Sequence, residues 1–128
     1  MSIPTLRDLM DLLPADIDLA ATLTEASRVL TVESVGALLV KHDDTACGIL
    51  SERDIVRAIA DGGDPTEERV EGWMTEDLLT IDRDGAVFDA LEMMEANEVR
   101  HIVVTAKGTP VGLVSQRRLI ANDVIVSL

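Results

Sequence analysis

One cysteine, one tryptophan, one phenylalanine, no tyrosine and two histidines leave this chain of 128 residues little of the usual equipment for chemistry. The single thiol, Cys47, cannot form an internal disulfide, and a reducing cytoplasm is the expected setting. Two histidines and a cysteine do not make a zinc ligand set, so no metal is expected. With Trp73 and Phe88 the only aromatic residues, a base-binding pocket has to sandwich its ligand with aliphatic side chains. Apolar runs reach only about six residues, as in Val35–Val40, against the roughly 20 that a membrane span needs. Met1-Ser2-Ile3-Pro4 shows no basic stretch leading into an apolar one, so no secretion signal is expected. Basic residues are scarce: 11 Lys and Arg stand against 24 Asp and Glu, a net charge of −13. Nucleic-acid affinity rests on phosphate neutralisation, so this balance argues against a DNA or RNA binder, and it repels an anionic membrane surface. It leaves room for a small anionic ligand held in a pocket of opposite local sign.

What the chain does have is length enough for one domain and apolar residues enough for a core, at 47% hydrophobic. It also has an internal repeat. Gly48-Ile49-Leu50-Ser51-Glu52-Arg53-Asp54 falls on Gly112-Leu113-Val114-Ser115-Gln116-Arg117-Arg118 without a gap. Met10 and Met74, Ile17 and Ile81, Asp18 and Asp82, Ala26 and Ala90, Val35 and Val99, and Val40 and Val104 keep the same offset. A repeat sets the architecture before any single residue does. The expected division is into residues 1–63 and 64–128.

Each half reads as helical turn, short strand, helix, strand, turn, strand, helix. In the first half, Ile17 and Leu19 flank a short extended segment. Thr22-Leu23-Thr24-Glu25 has capping-box spacing and opens a helix with Leu23, Ala26, Val29 and Leu30 on one face. Val35–Val40 suits a strand buried on both faces, His42-Asp43-Asp44-Thr45 a turn, and Cys47–Leu50 a second strand. Ser51 starts a helix expected to turn Ile55, Val56, Ile59 and Ala60 inward, and Gly62-Gly63 stops it. Asp64-Pro65-Thr66-Glu67 combines a cap, a proline at the first helical position and an acid three residues after the cap. This predicts a short helix ending near Trp73-Met74. The second half repeats the scheme over 79–81, 87–96, 99–105, 106–109 and 110–114, and Ser115 opens the last helix. Val124-Ile125-Val126 either finishes that helix or covers a neighbour. Met93 and Met94 beside Leu91 have core spacing. The fold class is α+β, two β-α-β-β-α repeats. One half alone leaves a sheet face uncovered. Pairing about a pseudo-two-fold axis, sheets face to face and helices outside, buries both faces and leaves a cleft where the sheets meet.

The polar constellation with most chemical content is Gly48 to Asp54. Gly48 lets another backbone or a ligand approach the strand. Ser51 at a helix start leaves backbone N–H groups facing an anion, with the helix dipole favouring negative charge. Asp54 offers two acceptor oxygens one turn away, which suits a vicinal diol such as a ribose. Ser51-Glu52-Arg53-Asp54 is equally a capping box. Both readings stand on the sequence. Ser115 keeps the cap in the second copy, whereas Arg118 replaces the acid. Neither serine has the neighbours of a catalytic nucleophile, and no acid pair or metal set suggests a reaction, so the chain is not expected to be an enzyme.

The tandem units, the stretch Ser51-Glu52-Arg53-Asp54-Ile55-Val56, the entrance Val70-Glu71-Gly72-Trp73-Met74-Thr75 and the strand Val99-Arg100-His101-Ile102-Val103-Val104 resemble a pair of cystathionine-β-synthase (CBS) domains, together a Bateman module. The resemblance covers about residues 5–122 and looks like a stand-alone module. It implies a non-catalytic regulatory unit that requires no cofactor. Its regulatory ligand contains adenosine: AMP, ADP or ATP first, with S-adenosylmethionine or NAD as further candidates, bound between the repeats. It also implies a homodimer, with the exposed faces of Leu23–Leu30 and Val87–Ala96 as candidate surfaces, and an effector protein that the sequence does not name. Carried onto this chain, Asp54 holds the ribose hydroxyls and Ser51 lies near the phosphate. Ala37, Leu38 and Leu39 border the base, and Asp16 and Ile17 close the pocket.

The chain departs from the family pattern in its second copy. Thr80, Ile102, Val103, Ser115 and Arg118 mark a degraded second site, since Arg118 stands in place of the ribose aspartate. Arg100 and His101 form a cationic pair where the first copy has Gly36 and Ala37, and they are expected to reach the phosphates of a nucleotide on Ser51 and Asp54. Asp54→Ala is then expected to weaken binding at little cost in stability. The alternative reading is a ligand-free dimerisation or docking element.

Overall fold

A computed structural model describes residues 4–12 and 15–127, with side chains as far as Ala121. Met1, Ser2 and Ile3, on which the secretion-signal reading partly rests, lie outside the described residues. In chain order the elements are α1 (Leu6–Leu9), β1 (Asp11–Leu12), β2 (Asp16–Asp18), α2 (Leu23–Glu33), β3 (Ala37–His42), β4 (Thr45–Ser51) and α3 (Glu52–Ala60). A 3₁₀ turn at Val70–Gly72 leads to β5 (Thr80–Asp82), α4 (Val87–Asn97), β6 (His101–Ala106), β7 (Thr109–Ser115) and α5 (Gln116–Ser127). The fold is mixed α+β, with two sheets and five α-helices among the described residues.

The chain packs as two compact units. One is Ala15–Leu78; the other joins Met1–Pro14 to Leu79–Leu128. This partition differs from the sequence division at 63/64 by two segments, because the one before Ala15 and the one over 64–78 each group with the other copy. In the unit Ala15–Leu78, the sheet order is β2-β3-β4, with β2 parallel and β4 antiparallel to β3. In the other unit the order is β1-β7-β6-β5. There β5 is parallel to β6, and β1 adds an antiparallel edge on β7.

The repeat is visible down to backbone defects. The register of β3 on β4 slips between Val40 and Lys41, and that of β6 on β7 slips between Val104 and Thr105, the repeat-mates. Both hairpins close through two left-handed residues, Asp43-Asp44 (φ 50° and 63°) and Lys107-Gly108 (φ 52° and 80°). Such two-residue turns match the twist of paired strands.

Strand alternation divides each central strand between two faces. Leu38, Val40 and Leu50 join Leu23, Ala26, Leu30, Ile55, Ala58 and Val70 in one core. Ile102, Val104 and Val114 join Leu6, Leu9, Met10, Ala90, Met94 and Leu119 in the other. Ala37, Leu39 and Val103 alternate with these and are buried as well, as their unbroken apolar runs predict.

Two expectations need correcting. In α3 the inward stripe is Asp54, Ile55 and Ala58, whereas Val56, Ile59 and Ala60 are exposed. The capping turn at Ser51 fixes the rotation of the helix, and Asp54 takes a buried position that pattern reading assigns to an apolar residue. The second correction concerns residues 64–74, which form a turn and the short 3₁₀ segment instead of one helix. Asp64 does cap the turn, its Oδ1 accepting the Thr66 N–H at 2.9 Å and the Thr66 hydroxyl at 2.7 Å. The following backbone is then drawn into longer-range bonds. The carbonyls of Pro65 and Glu68 accept the N–H groups of Thr24 and Leu23, and the N–H groups of Val70 and Glu71 bond the carbonyls of Ala21 and Leu19. The first two bonds satisfy orphan donors at the start of α2, and a helix through 64–74 would withdraw those carbonyls. The tail residues Val124-Ile125-Val126 continue α5.

Candidate functional site

The β3–β4 hairpin sets Ala37 opposite Ser51, Leu38 opposite Leu50 and Leu39 opposite Ile49. On the other side of β3, β2 sets Asp16 beside Leu39 and Ile17 beside Val40. Asp16, Ile17, Ala37, Leu38, Leu39, Ser51 and Asp54 thus share one sheet and the helix that leaves it. Their side chains do not share one face. Leu38 is fully buried in the helix-side core, and Ile17 packs against that core. Ala37 and Leu39 alternate to the other face. Both are buried there, at 2% exposure each, so neither face of β3 leaves these side chains open. The Leu39 N–H already bonds the Ala15 carbonyl at 3.0 Å. The Asp16 carboxylate lies 3.0 Å from Lys41 Nζ.

At the start of α3 the capping box is complete. Ser51 Oγ accepts the Asp54 N–H at 3.3 Å. Asp54 Oδ2 accepts the Ser51 N–H at 2.8 Å and the Ser51 hydroxyl at 3.1 Å. Its second oxygen, Oδ1, accepts from Nη2 of Arg57, one turn further on. Asp54 is only 5% exposed, so these bonds replace water it has lost. This corrects the expectation that Asp54→Ala costs little stability. Truncation removes the box and strands the Ser51 N–H, a loss of about 1–2 kcal/mol.

The second-copy residues assemble in the other unit. There β6 sets His101 opposite Ser115, Ile102 opposite Val114 and Val103 opposite Leu113, and Thr80 lies beside Val103. The Gln116 N–H bonds the Arg100 carbonyl at 2.8 Å. Arg100, His101, Ser115 and Arg118 therefore gather at the start of α5. Ser115 Oγ accepts the Arg118 N–H at 3.3 Å, so the cap survives without the acid. Arg118 Nη1 stands 3.6 Å from Asp11 Oδ1 on the added strand β1.

Two residues of these surroundings escaped the sequence reading. Arg57 was legible in principle, because residues three apart on a helix are neighbours and Asp54–Arg57 is an opposite-charge pair. Asp11 carried no signal, since its approach to Arg118 depends on β1 pairing with β7.

Ser27, Leu30 and Thr31 of α2 and Glu52, Ile55 and Val56 of α3 line a shallow groove of about 270 Å³. Exposed apolar side chains stand near it on the same helices (Val32, Val56, Ile59), and others stand on α4 and α5 (Phe88, Ile120). Cys47 is partly buried, its Sγ 3.5 Å from the Val40 carbonyl. Burial, then the charges of Asp18 and Glu76, push its pKa up. Among the described residues no three His, Cys, Asp or Glu side chains converge as a metal site, and no helix is long and apolar enough to cross a membrane.

The family model of the CBS domain matches this chain twice, over residues 5–61 and 70–124. The chain belongs to the CBS-domain family. Among curated relatives, an uncharacterized 17.7 kDa protein of Acidianus ambivalens is 34% identical over 100 residues, covering 77% of this chain and 60% of that protein. The chain thus spans about three-fifths of that relative's length. Hypoxic response protein 1 of Mycobacterium tuberculosis is 29% identical over 114 residues, covering 88% of this chain and 80% of its own. Among solved structures, a CBS domain protein of Pyrobaculum aerophilum complexed with AMP superposes with a TM-score of 0.82 at 25% identity, covering 97% and 98% of the two chains.

Proposed function

We propose that this CBS pair is a ligand-sensing regulatory module whose ligand contains adenosine. AMP, ADP and ATP come first, with S-adenosylmethionine and NAD as further candidates. The observation that carries the reading is the Ser51–Asp54 turn. It places a buried carboxylate one turn into a nine-residue helix, directly beyond the strand that ends at Ser51. Ribose hydroxyls can donate to a carboxylate already dehydrated and aimed by its cap. The helix start favours the phosphate. In this reading Ala37 and Leu39 are the aliphatic residues that border the base. The AMP complex of the Pyrobaculum relative supports the ligand class. Arg100, His101, Thr80, Ile102, Val103, Ser115 and Arg118 belong to the second copy, where Arg118 cannot accept ribose hydroxyls and ribose recognition is lost. Such a ligand regulates only through its difference in affinity for two arrangements of the protein. No reaction and no required cofactor form part of this reading.

A thermal-shift screen with AMP, ADP, ATP, NADH and S-adenosylmethionine tests it, because a ligand that binds the native state raises Tm by mass action. At least one compound at millimolar concentration is expected to do so, and the gain should be lost in Asp54→Asn. A flat response to all five would overturn the proposal.

The second reading is a dimerisation module, favoured by the exposed apolar side chains on the helices of both units (Val32, Val56 and Ile59; Phe88 and Ile120). A second copy of the chain is the proposed occupant of these faces. The thermal-shift screen separates the two readings, and sedimentation of wild type against Val56→Glu/Phe88→Glu tests the surface, since the substituted chain should be monomeric.

A further inference from the structure

We infer that Arg57 is the specificity-determining residue of the Ser51–Asp54 site: it holds the Asp54 oxygen that a ribose needs and exchanges it for the ligand's phosphate. This rests on the nucleotide reading above and adds to it a residue and a preference for phosphate-bearing ligands over the bare nucleoside.

The geometry of Asp54 carries the inference. A carboxylate has about four acceptor positions. Oδ2 spends its capacity on the N–H and hydroxyl of Ser51, bonds that hold the helix start together. A diol therefore has to engage Oδ1, and because Arg57 takes one of its two positions, only displacing Arg57 lets both hydroxyls donate. The partners differ in mobility. The Asp54 side chain is 7% exposed and fixed by the cap, whereas that of Arg57 is 59% exposed on a long stem. Arg57 is the member of the pair that can move. Once displaced, its guanidinium remains tethered one turn from the sugar, in a chain of net charge −13 that offers an anion few cations. Its planar fork matches a phosphate as well as a carboxylate. Ribose and phosphate together thus compensate both partners of the broken ion pair, and a nucleoside compensates only Asp54.

The repeat supplies an internal control. The mates of Asp54 and Arg57 are Arg118 and Ala121. Where the acid is gone the arginine one turn on is gone too, while the cap serine persists. The joint loss marks the two residues as a coupled pair, and the titration below separates a ligand-binding pair from a structural one.

Calorimetric titration of AMP and adenosine into wild type, R57Q and R57K at one ionic strength tests this. In R57Q the ratio of AMP to adenosine affinity should fall about tenfold or more, the scale of one charge-assisted hydrogen bond. Adenosine should bind R57Q at least as tightly as wild type, because its competitor for Oδ1 is gone. R57K keeps the charge without the fork and should lie between, and it carries the test alone should R57Q fail to fold. An unchanged ratio in proteins that bind AMP overturns the role of Arg57 and leaves the nucleotide reading standing. Parallel weakening of both ligands marks Arg57 as structural and also overturns it. Absence of binding to wild type and both variants overturns the nucleotide reading together with this inference.

Discussion

Gly48 runs so close beneath Thr75 that a methyl group on its α-carbon would meet the Thr75 carbonyl oxygen at 2.6 Å. The approach is held by two backbone bonds between Ile49 and Thr75, at 3.1 and 2.9 Å. Its repeat-mate behaves alike: a methyl on Gly112 would meet Met10 Sδ at 2.7 Å and the Asp11 carbonyl oxygen at 2.8 Å. Each motif glycine therefore admits an entrance segment. Met74-Thr75, which leads into the second copy, lies on the first copy's strand, and Met10-Asp11, which leads into the first copy, lies on the second copy's strand. Of the two visitors the sequence allowed at Gly48, backbone or ligand, the structure shows backbone.

Gly48→Ala should accordingly destabilise the protein by about 2–3 kcal/mol, since the obstacle is main chain and cannot rotate away. Gly112→Ala should cost a similar amount because Asp11 also presents main chain. Urea denaturation of both variants checks this, and a loss below about 0.5 kcal/mol at either site would refute the close approach.

Two helices end on residues that lack glycine's freedom. Ser34 (φ 55°) and Glu98 (φ 54°) both occupy the left-handed region at the C-terminal caps of α2 and α4. Ser34→Gly and Glu98→Gly should each stabilise the fold by about 0.5–1 kcal/mol, read as a higher urea midpoint at unchanged slope. A lower midpoint would contradict the assigned backbone.

Asp64 yields a pH dependence with a definite sign. The Thr66 hydroxyl, then the Thr66 N–H, hold its carboxyl below the usual carboxylate value. A carboxylate depressed in the folded state adds stability above its unfolded pKa and loses it as pH falls through the folded one. Tm measured from pH 5 downward should therefore fall less steeply in Asp64→Asn than in wild type, with equal slopes near neutrality. Identical acid limbs would remove Asp64 from the account.

Cys47 should behave as a thiol at neutral pH. Burial raises its pKa, and the acidic neighbours Asp18 and Glu76 add to the shift. Because the thiolate is the nucleophile, alkylation of the native protein by iodoacetamide at pH 8 should be slower than that of the urea-unfolded chain. Equal rates would show the thiol to be unshielded.

The order of elements apart from β1, both hairpin turns, the caps at Thr22, Ser51 and Ser115, and the burial of the apolar stretches of β3 and β6 were legible in the sequence, because each depends on neighbours within one or two turns of chain. The inward face of α3 was misread at Val56 and Ile59, since a buried aspartate held by a capping box violates the apolar pattern that the reading relies on. The helix expected over 64–74 failed for a different reason. Its local signals are real, but α2 needs those carbonyls, and no local pattern records a demand made from forty residues away.

The repeat, and with it membership of the CBS family, could be established from the sequence by itself, because periodic identity and local propensity survive without coordinates. Only the tertiary structure decided that residues 4–12 pack with 79–127 and residues 64–78 with 15–63, that glycines 48 and 112 serve main-chain approach, and that Asp54 answers to Arg57 while Arg118 faces Asp11. Apart from the Asp54–Arg57 pair, whose spacing hints at it, these are relations between segments far apart in the chain. Hydrogen bonding and close packing select them only once the segments have met.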